Sequence, residues 1–152
     1  MAEVNVTRTK LAQVAGSKAP AGSFNRVREA VITMAAVYAA PAQNDIAGTE
    51  LYLPKGTRLV AAPTLSNGAG TASSTLSVGL RNAVTKVAVD ATAIINAAAI
   101  TSAATAQVNT GTKLTAGQDY LLDQDCEVYM TFGGAAGAAN QQIRVEIPFV
   151  AG

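Results

Sequence analysis

NDIAGTELYLPKGTRLVAAPTLSNGAGTASSTLSVGL, the stretch from Asn44 to Leu80, alternates short β-type runs with strong turn signals and decides the fold class. Side chains alternate faces along a strand, so Leu51 and Leu53 point one way and Glu50 and Tyr52 the other. Pro54-Lys55-Gly56 turns the chain and Leu59 with Val60 resumes a second run, which reads as a hairpin. Ser66-Asn67-Gly68-Ala69-Gly70 breaks the pattern again, after which Leu76, Val78 and Leu80 share one face. Two sheets packed through such faces make a β-sandwich.

The same alternation extends toward the C-terminus. Val84–Val89 reads as a short strand ended by Asp90, and Ala91–Gln107 as a strand followed by an exposed loop, although its alanine richness also fits a short helix. Gly111 and Gly117 punctuate the next connection, and Tyr120-Leu121-Leu122 opens the C-terminal strands. Cys126, Val128, Met130 and Phe132 share one face, Ile143, Val145, Ile147 and Phe149 another. These two runs are expected to pair around a long flexible tip of small residues, Gly133–Asn140, with Gln142, Arg144 and Glu146 facing outward. Pro148 has no amide donor, which predicts an edge or a strand end. On the N-terminal side, Val31–Tyr38 is apolar on both faces, and Ser23 with Pro41 would cap and stop a helix. Strand and helix both remain open for residues 26–40, the β-branched residues favouring a long buried strand.

The run Leu53-Pro54-Lys55-Gly56-Thr57-Arg58-Leu59-Val60, a spacer, and then Ser74-Thr75-Leu76-Ser77-Val78-Gly79 resembles small virion proteins of tailed bacteriophages: jelly-roll-like capsid decoration or cement proteins and related head proteins. The resemblance covers residues 31–150 in layout and the two short motifs in residue detail. It implies an all-β chain, a single β-sandwich of jelly-roll type, in a structural component of the virion. It further implies binding to the outer shell across the seams between capsomers, with the major capsid protein as partner and synthesis in the host cytoplasm. The alternative is a carbohydrate- or receptor-binding β-sandwich of a phage fibre or tail. Sugar sites favour aromatic platforms, and the four tyrosines do not cluster in the sequence.

One domain of residues 26–152 fits the length of 152, and no internal repeat marks a second. Apolar residues make up 49% of the chain but aromatics only 5%, so the core is built from small side chains. Charged residues are 14%, below the roughly 25% usual for soluble domains, which predicts a surface partly covered in an assembly, a homodimer or homotrimer. Residues 1–25 show no sustained periodicity and read either as a frayed tail or as an extended N-terminal arm that crosses a neighbouring subunit. Through Arg28 there are five basic residues against one acidic, and from Glu29 onward six against nine. Arg8, Lys10 and Lys18, with Leu11 and Val14 as apolar anchors, are the candidate contacts to the shell or a neighbouring copy. Fully extended, 25 residues span up to roughly 80 Å.

No catalytic, cofactor or metal site is predicted. The chain has no histidine, which removes Ser-His-Asp and Cys-His mechanisms and the usual zinc sets. The single cysteine, Cys126, reads as a buried inert thiol. Asp119, Asp123, Asp125 and Glu127 form the one carboxylate cluster, and Asp123, Asp125 and Glu127 lie on one face if the segment is a strand. Calcium is one reading of it, a solvated acidic stripe or docking patch the other. Gly133-Gly134-Ala135-Ala136-Gly137 lacks the Lys-Ser/Thr ending of a phosphate loop. With a net charge of +1 and no aromatics interleaved among dispersed basic residues, nucleic acid is not an expected partner. The N-terminus lacks the apolar run of a secretory signal, and no segment reaches the ~18 apolar residues of a membrane span, so no membrane partner is expected.

Overall fold

The computed structural model describes residues 27–114 and 119–151. The predicted arm, with Arg8, Lys10, Leu11, Val14 and Lys18, lies outside the described residues.

Among the described residues ten strands follow in order: β1 (Val27–Thr33), β2 (Ile46–Leu53), β3 (Arg58–Leu59), β4 (Thr64–Asn67), β5 (Thr75–Asn82), β6 (Ala88–Ala99), β7 (Ala104–Gln107), β8 (Tyr120–Leu121), β9 (Cys126–Gly133) and β10 (Ile143–Val150). They form two antiparallel sheets. One has β10 at its centre, with β1 on one side and β3 and β4 on the other; β7 continues from β4, and β8 flanks β3. The other runs β2-β9-β5-β6. The pairings are nested: β1 with β10, β2 with β9, β4 with β7, β5 with β6. One long antiparallel ribbon is therefore folded over on itself, with β3 and β4 serving as a single interrupted strand, and that is the winding of a jelly roll.

Nesting overturns both predicted hairpins. Pro54-Lys55-Gly56 does turn the chain, with the Thr57 amide donating to the Pro54 carbonyl at 3.1 Å and Gly56 at φ 87°. It carries the chain from one sheet into the other, as an arch, because β2 pairs with β9 and β3 with β10 and β8. The two C-terminal runs likewise do not pair: β9 and β10 lie in opposite sheets and face each other across the core. Their connection is pinned rather than loose. The Gly137 amide donates to the Pro41 carbonyl at 2.9 Å, Asn140 to Tyr38 at 3.2 Å, and the Thr71 hydroxyl to Ala136 at 2.7 Å.

The predicted inward faces do meet in the core. Leu76, Val78, Leu80, Cys126, Val128, Met130 and Phe132 from one sheet pack against Ile32, Leu59, Leu65, Ile143, Val145 and Ile147 from the other, all buried. The core is built mainly from Leu and Ile rather than from the small side chains expected, because the alanines fall mostly outside it. Close backbone approach is confined to glycine positions. Gly79 in β5 lies beneath β6, where an added Cβ would fall 2.5 Å from the carbonyl oxygens of Asp90 and Ala91.

Other boundaries move for identifiable reasons. The strand within residues 26–40 is β1, shorter than expected, and only Ala30 and Ile32 turn inward; Val27 and Val31 are exposed, because among the described residues β1 pairs on one side alone and is covered on one face. Val84–Val87 is a turn rather than a strand, since the Asn82 side-chain oxygen accepts from the amides of Val84 and Thr85 and diverts the backbone from the ladder. Asp90 does not end a strand; β6 bulges past it, its carboxylate taking the Thr92 amide at 2.9 Å. The segment after β6 contains β7, paired with β4. Pro148 sits in a central strand. The Val60 amide donates to the Pro148 carbonyl at 3.4 Å, so that side of Pro148 faces the gap between β3 and β4, where the ladder is interrupted.

Candidate functional site

The acidic segment is taken apart by the fold. Asp119 pairs with Arg58 at 3.3 Å, Asp125 caps the Lys55 amide at 2.8 Å, and Glu127 alone continues into β9. Asp123 and Asp125 precede the strand, so the two-residue spacing never becomes a face. Among the described residues no three metal-ligating side chains converge. Cys126 is buried in the core, and burial, then the Asp123 and Asp125 carboxylates, push its thiol up. A thiol so placed is a poor nucleophile.

The outer face of the β2-β9-β5-β6 sheet carries a polar cluster that the alternation did not disclose. Tyr52, Glu127 and Arg81 lie side by side across β2, β9 and β5. Arg81 Nε donates to Glu127 Oε2 at 2.9 Å, and Lys86 Nζ, reaching from the β5–β6 turn, donates to the same oxygen at 2.6 Å. Two cations cover one carboxylate, whose side chain is 3% exposed although it points away from the core. The hydrogen bond from Arg81, opposed by burial and reinforced by Lys86, holds this carboxyl down at about 2. Both cations also stack on tyrosines: Arg81 lies 5.4 Å from the Tyr129 ring centroid and Lys86 4.9 Å from that of Tyr52. Gly48, opposite Tyr129 in β2, leaves the room that Arg81 occupies; a Cβ there would come within 2.8 Å of its guanidinium. The signal in the sequence was an acidic residue between two inward positions of a central strand, with a basic residue at the matching outward position of β5.

This cluster fixes the shape of one end of the sandwich. Asn82, anchored to Gln124 at 2.9 Å, caps the β5–β6 turn, and the Ala83 amide donates to the Asp125 carbonyl at 3.0 Å. On that rigid turn Val84 and Val87 are 86% and 66% exposed. Val27, Val31 and Ile46 are also exposed, on the neighbouring edges β1 and β2. Apolar groups held outward on rigid elements favour contact with another surface over chemistry at this one.

Each tyrosine is committed to a local partner. Tyr129 and Tyr52 carry Arg81 and Lys86, Tyr120 lies under Lys113 at 5.2 Å, and the Tyr38 hydroxyl donates to the Gln141 carbonyl at 2.6 Å. No shared aromatic platform forms from them.

The sequence matches no protein-family model and no curated protein. A solved structure described as a cyanophage Pam1 capsid asymmetric unit is similar to it, over 100% of this chain and 100% of that chain, with a TM-score of 0.53 and 21% sequence identity. At that identity the likeness establishes a shared fold.

Proposed function

We propose that the chain is a structural protein of a bacteriophage virion, a decoration or cement protein that binds the outer shell across capsomer seams and performs no catalysis. The observation that carries this reading is the end-to-end likeness to a chain of a phage capsid asymmetric unit. The match covers 100% of both chains, so the shared fold runs over all of the given sequence. The rigid exposed valines and the 14% charged content support a surface that is covered in an assembly. The partners are then the major capsid protein and further copies of this chain, and the location is the capsid surface after synthesis in the host cytoplasm. The local commitments of the four tyrosines favour this reading over the glycan- or receptor-binding alternative.

The mechanism is linkage. A chain that binds the assembled shell and not its separated subunits stabilises the assembly by RT ln(1 + [L]/Kd), about 2.7 kcal/mol per site at a hundredfold excess over Kd. Many modest sites around one shell act together. The test is to purify particles made with and without the gene for this chain, count its copies by quantitative mass spectrometry, and measure the temperature at which packaged DNA is released. Many copies per particle and a lower release temperature without them are expected. Particles that lack the chain, or that release DNA at the same temperature without it, would refute the proposal.

A further inference from the structure

Between the C-terminal end of β1 and the middle of β2 the two sheets leave a groove of about 590 Å³. Met34, Ala47, Leu51 and Met130 line it, and all four belong to the core or pack against it, so the floor is apolar. A bulge between Gly48 and Leu51 turns the β2 edge aside and sets Glu50, at φ 57°, on the rim. β1 supplies a regular backbone edge beside it. The Met34 amide donates to the Ile143 carbonyl at 2.9 Å, which directs the even-numbered residues of β1 toward β10. The amides and carbonyls of Val27, Glu29, Val31 and Thr33 therefore face the other way, and no strand among the described residues pairs with them. A free edge next to an apolar slot accepts an extended segment by strand addition.

We infer that the segment received here is residues 1–26 of a second copy of this chain. The direction of the chain argues for another copy. β1 runs from Val27 toward the groove, which begins at Val31, so the residues before Val27 depart from the strand end remote from their own groove. Their length suffices: 26 extended residues reach up to roughly 85 Å, against about 23 Å for the seven residues of β1. The charges are complementary, with four basic residues against one acidic in residues 1–26, and Glu29 and Glu50 exposed at the receiving edge. Leu11 and Val14 are the apolar anchors for the slot, and Arg8, Lys10 and Lys18 the residues that meet the acidic rim. This exchange needs no shell, so it stands or fails separately from the decoration role.

The test uses the full chain in solution. A copy carrying Val14→Cys is mixed with a copy carrying Ala35→Cys under mild oxidation; native Cys126 is buried and stays out of the reaction. Dimers joined between positions 14 and 35, identified by peptide mass spectrometry, are expected at least tenfold above a control pair of Val14→Cys with Val84→Cys. Adding Glu50→Lys to the acceptor should lower the yield severalfold; Glu50 is exposed, and an unchanged melting temperature would show that the groove itself is intact. Equal yields in test and control pairs would overturn the proposal. So would a bridge that forms only within one chain of the double variant Val14→Cys/Ala35→Cys, which would place the segment in its own groove.

Discussion

Glu127 is the residue where local pattern and environment part company. Its position between Cys126 and Val128 places it outward, and it is outward, yet Arg81 and Lys86 close over it until almost nothing of the carboxylate meets water. Its ordinary value near 4.5 falls to about 2 in the folded protein. The folded state therefore holds this proton less tightly than the unfolded chain. The resulting stabilisation is complete above about pH 4.5 and fades as the pH falls toward 2. Glu127→Gln should cost about 1.5–3 kcal/mol at pH 7, the range for hydrogen bonds to charged groups. The difference in urea midpoint between variant and wild type should shrink between pH 5 and pH 2.5, and a difference that stays constant over that range would contradict the account. The inward residues of β9 were legible one by one, because alternation is a property of the strand itself; the partners of Glu127 were not, because Arg81 lies 46 residues away in sequence.

At the scale of the element, β10 shows how a proline is accommodated in the middle of a sheet. Its neighbour on one side is broken into β3 and β4, and Pro148 occupies the break. Pro148→Ala should therefore be mild, about 0.4–1 kcal/mol destabilising through the added freedom of the unfolded chain. Glu146, two residues earlier, presents its amide to the same side but opposite Thr64, within the β4 ladder. Glu146→Pro removes a ladder bond and leaves a carbonyl without its donor, about 1–3 kcal/mol before any distortion of the strand is counted. Thermal melts of the two variants should rank in that order; a Pro148→Ala variant as damaged as Glu146→Pro would mean that the break is not what accommodates the ring. The sequence showed that Pro148 lacks a donor. It did not show that a central strand has a vacancy for it, since the vacancy belongs to the partner.

For the whole molecule, the nested winding brings Val27 beside Val150, and among the described strands only β5 pairs with its neighbour in sequence, β6. Loop-closure entropy must be met before such distant pairings contribute, so refolding should be slow for a domain of this size, in milliseconds to seconds or longer. Stopped-flow refolding complete within tens of microseconds would be inconsistent with this topology. By itself the sequence determined the all-β class, the sandwich, and the inward faces of β5, β9 and β10, because side-chain alternation and turn chemistry act over two to four residues. The tertiary structure alone decided which strands pair. Leu53-Pro54-Lys55-Gly56 reverses the chain equally well within a sheet or between sheets, and the ladder energy of an antiparallel neighbour is nearly independent of which strand supplies it. What selects the jelly-roll winding is the burial of both inner faces at once, a condition set by all the strands together and by no single turn.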